Sequence, residues 1–148
     1  MKRYTYKTAA QAEFLPLVRD LVRAYQAFAL ADARLLAPHS LTGPQADVMF
    51  TLGNTAGMSF KELGEKTLIT KGTLTGIVDR LEEKGLVKRV ACPEDGRSLF
   101  AVLTPKGEAW FEKVFPLHIS ALDRYFSALT PAEVKQLRAA LSKLRALF

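Results

Sequence analysis

Lys71, Thr73 and Thr75 fall within five residues, and further along Arg97 follows the tight Pro93-Glu94-Asp95-Gly96 segment. A lysine beside a helix start can neutralise a phosphate where free backbone N–H groups already favour anions. Threonine can donate to a phosphate oxygen or lay its methyl against that of thymine. An arginine on a narrow turn can enter a minor groove, where A·T-rich sequence concentrates negative potential. The chemistry on offer is reversible recognition of a polyanion. Catalytic residue types are scarce: Cys92, His39 and His118 stand far apart in apolar settings, with neither a nucleophile–base pair nor metal-ligand spacing. No enzymatic activity, metal or cofactor is expected, and one cysteine excludes an internal disulfide.

These side chains need elements to aim them. Over 70–84, Leu74, Ile77, Val78 and Leu81 share one helix face, which puts Gly72, Gly76, Asp79, Arg80 and Glu83 on the opposite face with Thr73 and Thr75 on its flanks. Ser59-Phe60-Lys61-Glu62 is a capping-box pattern opening a short helix around Leu63, and Thr67-Leu68-Ile69 makes the tight turn between the two helices. Residues 86–92 and 99–103 are β-favouring runs on either side of the proline–glycine turn. The result is a helix-turn-helix followed by a hairpin, the winged geometry that lays one helix (about 70–84) in a major groove and a tip (about 93–98) along the DNA. Lys88 and Arg89 point to opposite faces of their strand, so at most one meets DNA easily, and solvated surface suits either. Gly72 and Gly76 each cost about 1 kcal/mol against alanine inside a helix, a cost that close approach to DNA would explain.

The flanks are helical. Phe14, Val18, Leu21, Tyr25 and Phe28 recur at helical spacing in a long amphipathic helix over 11–36. Thr42-Gly43-Pro44-Gln45 caps a second helix whose Val48, Met49 and Leu52 face a core. Thr104-Pro105 starts a third, with an apolar band from Trp110 and Phe111 to Phe126 that Pro116 should kink. Thr130-Pro131-Ala132-Glu133 starts the last, in which Val134, Leu137, Leu141, Leu144 and Phe148 form a heptad seam. The fold class is mainly α with a small β-hairpin wing (α+β). Tyr25, Phe28, Trp110 and Phe111 are candidates to line a ligand pocket, although aromatics at this spacing more often fill a core.

A chain of 148 residues, 49% hydrophobic, can bury one sizeable core. It contains no apolar run long enough for a membrane span, and its start lacks the pattern of a signal peptide, so a cytoplasmic protein is expected. The net charge of +6 suggests an acidic partner, yet residues 59–98 hold eight basic against seven acidic side chains, a net of +1. Charge alone therefore does not make the case for DNA.

The order of these residues resembles the MarR family of bacterial transcriptional regulators from about Thr42 to Gly107, and in helix order over the whole chain. Ile69-Thr70-Lys71-Gly72-Thr73-Leu74-Thr75 with Ile77-Val78-Asp79-Arg80-Leu81-Glu82-Glu83-Lys84-Gly85-Leu86-Val87 is similar to that family's recognition helix and exit strand, and Asp95-Gly96-Arg97 with Val102-Leu103-Thr104 and Lys106-Gly107 to its wing and next helix. The resemblance implies a homodimer with interlocked terminal helices, 1–38 and 105–148, carrying a winged helix-turn-helix domain, 39–104. Dimerisation would fall to Phe14, Val18, Leu21, Val134, Leu137, Leu141, Leu144 and Phe148. It further implies a repressor on a pseudo-palindromic operator of double-stranded DNA, with Arg97 entering a minor groove oriented by Asp95; the residue chemistry above adds Lys71, Gly72, Thr73, Thr75, Gly76, Arg80 and Lys88 as expected DNA contacts. Many such regulators release DNA when a small, often aromatic, effector binds. The chain departs from the family pattern at Gly76, where larger polar or basic residues are common. The competing expectation is a winged-helix protein-interaction module without DNA binding, which the +1 balance and the glycines would also suit.

Overall fold

The structure is a computed structural model that describes residues 3–67, 69–91 and 99–148, the side chain of Lys71 aside. The wing tip expected at 93–98, with Asp95 and Arg97, and the turn residue Leu68 and Cys92 lie outside the described residues. The elements run α1 (Tyr6–Ala9), α2 (Leu15–Leu36), a 3₁₀ turn (Ala37–His39), α3 (Gly43–Leu52), β1 (Met58–Ser59), α4 (Phe60–Lys66), α5 (Lys71–Glu83), β2 (Val87–Ala91), β3 (Leu99–Leu103), α6 (Pro105–Phe126) and α7 (Pro131–Arg145).

The first helix differs from its expected span. Thr5 caps a separate turn, α1, and the long helix starts only at Leu15, where Pro16 sits in the first turn and needs no N–H partner. The two-residue β1 is also new. It pairs antiparallel with β3, Met58 opposite Ala101, and gives the sheet the order β1-β3-β2. Pro116 does not end α6, which runs as one helix to Phe126, with the Ser120 hydroxyl donating to the Pro116 carbonyl at 2.8 Å.

One apolar cluster holds the middle of the chain: Val48, Met49 and Leu52 of α3, Leu63 of α4, and Leu74, Val78 and Leu81 of α5, closed by Leu86, Val87 and Ala101. The end of α5 fixes the angle at which the hairpin leaves. Gly85 adopts φ +71°, its N–H donates to the Glu82 carbonyl at 2.8 Å and that of Leu86 to Leu81 at 2.9 Å, a Schellman closure that a residue with a Cβ would strain. Thr104 then binds α6 to this corner. Its hydroxyl donates to the Gly85 carbonyl at 2.6 Å and accepts from the Gly107 N–H at 3.0 Å.

The flanking helices are different in kind. Leu36 is the one buried residue of α2, and α7 has none, so Phe14, Val18, Leu21, Val134, Leu137 and Leu141 are exposed on this single chain. The helix ends at Arg145, leaving Leu144 half-buried and Phe148 beyond the seam. Thr130 closes a capping box at the start of α7: its N–H donates to Glu133 Oε2 at 2.7 Å, as does its hydroxyl. The backbone donor, and after it the hydroxyl, hold the Glu133 carboxyl below its ordinary value. Among the described residues no helix is long and apolar enough to cross a membrane.

A methyl group on Gly107 would stand 2.0 Å from the Leu86 carbonyl oxygen, a backbone atom without room to retreat. Gly107→Ala should therefore lower unfolding free energy by about 3 kcal/mol, read from the urea midpoint.

Candidate nucleic-acid interface

The reading helix begins where Thr70, extended at φ −66°, accepts the N–H groups of Thr73 and Leu74 on its carbonyl at 2.9 and 3.0 Å. Leu74, Ile77, Val78 and Leu81 are buried as their spacing predicts, which leaves Gly72, Thr73, Thr75, Gly76 and Arg80 exposed. The first helical position is Lys71. The Thr73 hydroxyl lies 3.0 Å from that of Thr70, while Thr75 stands on the following turn. A methyl built on Gly72 or on Gly76 meets nothing within 4 Å. Packing inside this chain thus gives no reason for either glycine, and the surface of α5 is left as nearly bare backbone.

Sequence reasoning placed Arg89 only as solvated surface or a DNA contact and missed that it joins this helix to the hairpin. Arg89 of β2 donates from Nη1 to Glu82 Oε2 and from Nη2 to Asp79 Oδ1 at 2.6 Å, and its backbone N–H donates to Glu82 Oε1 at 2.9 Å. The guanidinium also lies over the Phe60 ring, 5.2 Å from its centroid, so one cation contacts α4, α5 and β2 together. The signal was present in the sequence: Asp79 and Glu82, three residues apart, share a helix side from which a cation on the returning strand can bridge them. Arg89 being engaged, exposed Lys88 is the free-facing member of the pair. Glu62 forms an ion pair with Lys66 at 2.9 Å in place of the expected reach back to its own cap, while Ser59 Oγ still accepts the Glu62 N–H at 3.1 Å.

The four aromatics expected at one pocket divide among three places. Tyr25 and Phe28 line a cavity of about 460 Å³ together with Asp32, Leu36, Asp47, Phe50, Ile69 and His118. Trp110 and Phe111 do not line it. Phe111 is buried against Gly53, where a Cβ would come within 2.2 Å of the ring, and stacks on Phe115 with centroids 5.0 Å apart. Trp110 stacks on Phe50 at 5.7 Å and borders a shallower depression with Lys84 and Lys106. Helical spacing placed these rings on the right face but not on the right side of Phe50.

A recognition helix with an open surface, tied through one arginine to a two-stranded wing, defines a winged helix-turn-helix protein. A profile described as MarR family matches residues 39–98. The HTH-type transcriptional regulator MhqR of Bacillus subtilis is 32% identical over 82% of this chain and 83% of its own length. Among solved structures, Sco3205 of Streptomyces coelicolor, a MarR family regulator in complex with DNA, is 26% identical with a TM-score of 0.82, covering 97% of this chain and 90% of its own. BpsR of Bordetella bronchiseptica, whose DNA binding is regulated by 6-hydroxynicotinic acid, is likewise 26% identical with a TM-score of 0.77, over 97% of this chain and 98% of its own. The chain belongs to the MarR family, and is a DNA-binding transcriptional regulator.

Two substitutions test the interface. Gly76→Ala should raise the unfolding free energy by about 1 kcal/mol, because the methyl meets nothing and restricts the unfolded chain, while weakening DNA binding in a gel-shift titration. Arg89→Met, which strands two carboxylates, should cost about 2 kcal/mol in a denaturant titration.

Proposed function

We propose that the protein represses transcription as a homodimer in the cytoplasm, laying α5 of each copy in successive major grooves of an inverted-repeat operator and the 93–98 wing in the adjoining minor groove. Residues 39–104 form the reading domain, and the segments 1–38 and 105–148 the dimerisation helices. The carrying observation is the surface of α5: threonine hydroxyls and bare glycine backbone, with no packing inside the chain to account for the glycines. Such a surface admits DNA to van der Waals distance. Phosphate neutralisation falls to Lys71, Arg80 and Lys88, minor-groove entry to Arg97 with Asp95, and hydroxyl or methyl contacts to Thr73 and Thr75.

The dimer is supported by the apolar faces of α2 and α7, which a single chain leaves in water. An effector acts from the cavity under Tyr25 and Phe28. One of its walls is Ile69, which immediately precedes the Thr70 cap of α5, so an occupant there presses on the segment that sets the reading helix. BpsR, whose DNA binding is regulated by 6-hydroxynicotinic acid, supports a small-molecule effector. No catalytic step belongs to this reading.

Selection of bound duplexes from a random pool, at two salt concentrations, tests the whole proposal. An inverted repeat with half-sites about one helical turn apart is expected, and recovery of direct repeats or isolated half-sites would overturn the symmetric arrangement; the competing expectation of a protein-interaction module without DNA binding is set aside by the DNA-binding relatives. With the selected operator, Lys71→Ala should weaken binding evenly across sequences and reduce the salt slope by about 1, whereas Arg97→Ala should weaken it most where the wing meets A·T-rich sequence. Leu137→Glu combined with Leu141→Glu should give a monomer in sedimentation, with operator affinity down by about 100-fold as the second half-site is lost.

A further inference from the structure

The cavity lined by Tyr25, Phe28 and Phe50 has in its wall a side chain with an unused polar atom. His118 of α6 is 8% exposed, and its Nε2 lies 3.2 Å from Oδ1 of Asp32, which lines the same cavity. The other ring nitrogen, Nδ1, is buried and has no hydrogen-bond partner among the described residues. Protein interiors rarely leave such an atom unpaired, because taking it out of water without a new bond is costly. Its neighbour decides what it can bind. A carboxylate only accepts hydrogen bonds, so Nε2 is the nitrogen that carries the hydrogen, and in the neutral ring Nδ1 is left as a bare acceptor. Both partners are held in place. A Cβ built on Gly43, the first residue of α3, would stand 3.1 Å from Oδ2 of Asp32, and Phe50 packs against the imidazole with ring centroids 5.1 Å apart.

We propose that the cavity selects uncharged aromatic guests that carry a hydroxyl group, the phenols, with the guest O–H donating to His118 Nδ1 and Asp32 acting as the positioning residue that keeps this nitrogen an acceptor. The inference rests on the effector reading above and adds the chemical class of the effector. Tyr25, Phe28 and Phe50 supply apolar surface for the guest ring, and the hydroxyl satisfies the nitrogen that the protein leaves unpaired. An aromatic ether of the same shape has no hydrogen to give. It would set its own lone pairs against that of Nδ1 and leave both without a bond, which is how a site that binds a hydroxyl rejects an analogue lacking one.

Isothermal titration of the full chain with naphthol and with methoxynaphthalene removes the donor and keeps the ring; about pH 8 is suitable, above the range in which a free imidazole takes up a proton. Naphthol should bind about tenfold tighter. Asp32→Asn puts there a side chain that can donate to Nε2 as well as accept from it, so Nδ1 is free to carry the hydrogen. Methoxynaphthalene should then gain, and the ratio should fall to about threefold or less. If that variant does not fold, Asp32→Leu combined with His118→Phe puts an apolar pair in place of the polar one and should remove the preference altogether. Methoxynaphthalene bound as tightly as naphthol, binding of neither, or a ratio unmoved in a folded variant would each overturn the proposal. Operator release, followed on the same wild-type sample, separates the two readings. Naphthol preferred but without effect on the operator rejects the effector reading and leaves the guest class standing, whereas equal affinity for both probes with release by both keeps the effector reading and rejects the guest class.

Discussion

The Arg89 guanidinium, shared between Asp79 and Glu82 and laid on Phe60, is the contact on which the geometry of the DNA-facing surface depends. A recognition helix is useful only if the element beside it keeps a constant distance and angle; Val87 and Ala101 anchor the hairpin in the core, and Arg89 is the polar tie on its outer side. The Schellman closure at Gly85 sets where β2 departs, and Arg89, four residues later, prevents the strand from swinging. The contact does not alter the net charge of the segment, since one guanidinium shared by two carboxylates leaves them one negative charge, but it draws Asp79 and Glu82 toward β2.

The chain divides by how its parts are stabilised. The middle buries its own apolar cluster, whereas α2 and α7 leave theirs exposed on the single chain, which is what the proposed dimer would cover. The cavity lies at the junction of the two regimes. Its walls come from α2 and α6 on one side, and from α3 and Ile69, beside the reading helix, on the other. A guest there touches both the frame that spaces two half-sites and the segment that aims one of them.

Helix faces and caps were legible in the sequence because both are local. Leu74, Ile77, Val78 and Leu81 face inward, and Thr42, Ser59, Thr104 and Thr130 stand at N-caps, as spacing and hydroxyl chemistry predict. What failed was long-range. β1 is two residues long and exists only through its pairing with β3, so no period marks it. Trp110 and Phe111 carried the pattern of a pocket wall, but Gly53 makes room for Phe111 from another helix, and that complementarity crosses more than fifty positions of chain. The Arg89 bridge was half visible, in the three-residue spacing of its two acids. Asp32 and His118 met no motif at all, since their pairing depends on how α2 and α6 cross.

The open space around positions 72 and 76 also bears on specificity. Side chains could be added at these two positions of α5 without displacing any atom of the fold, and replacing a helical glycine favours the helix. On the proposed reading of α5, then, changes of operator preference at these positions need no repair in the core, so specificity and stability are under separate control there.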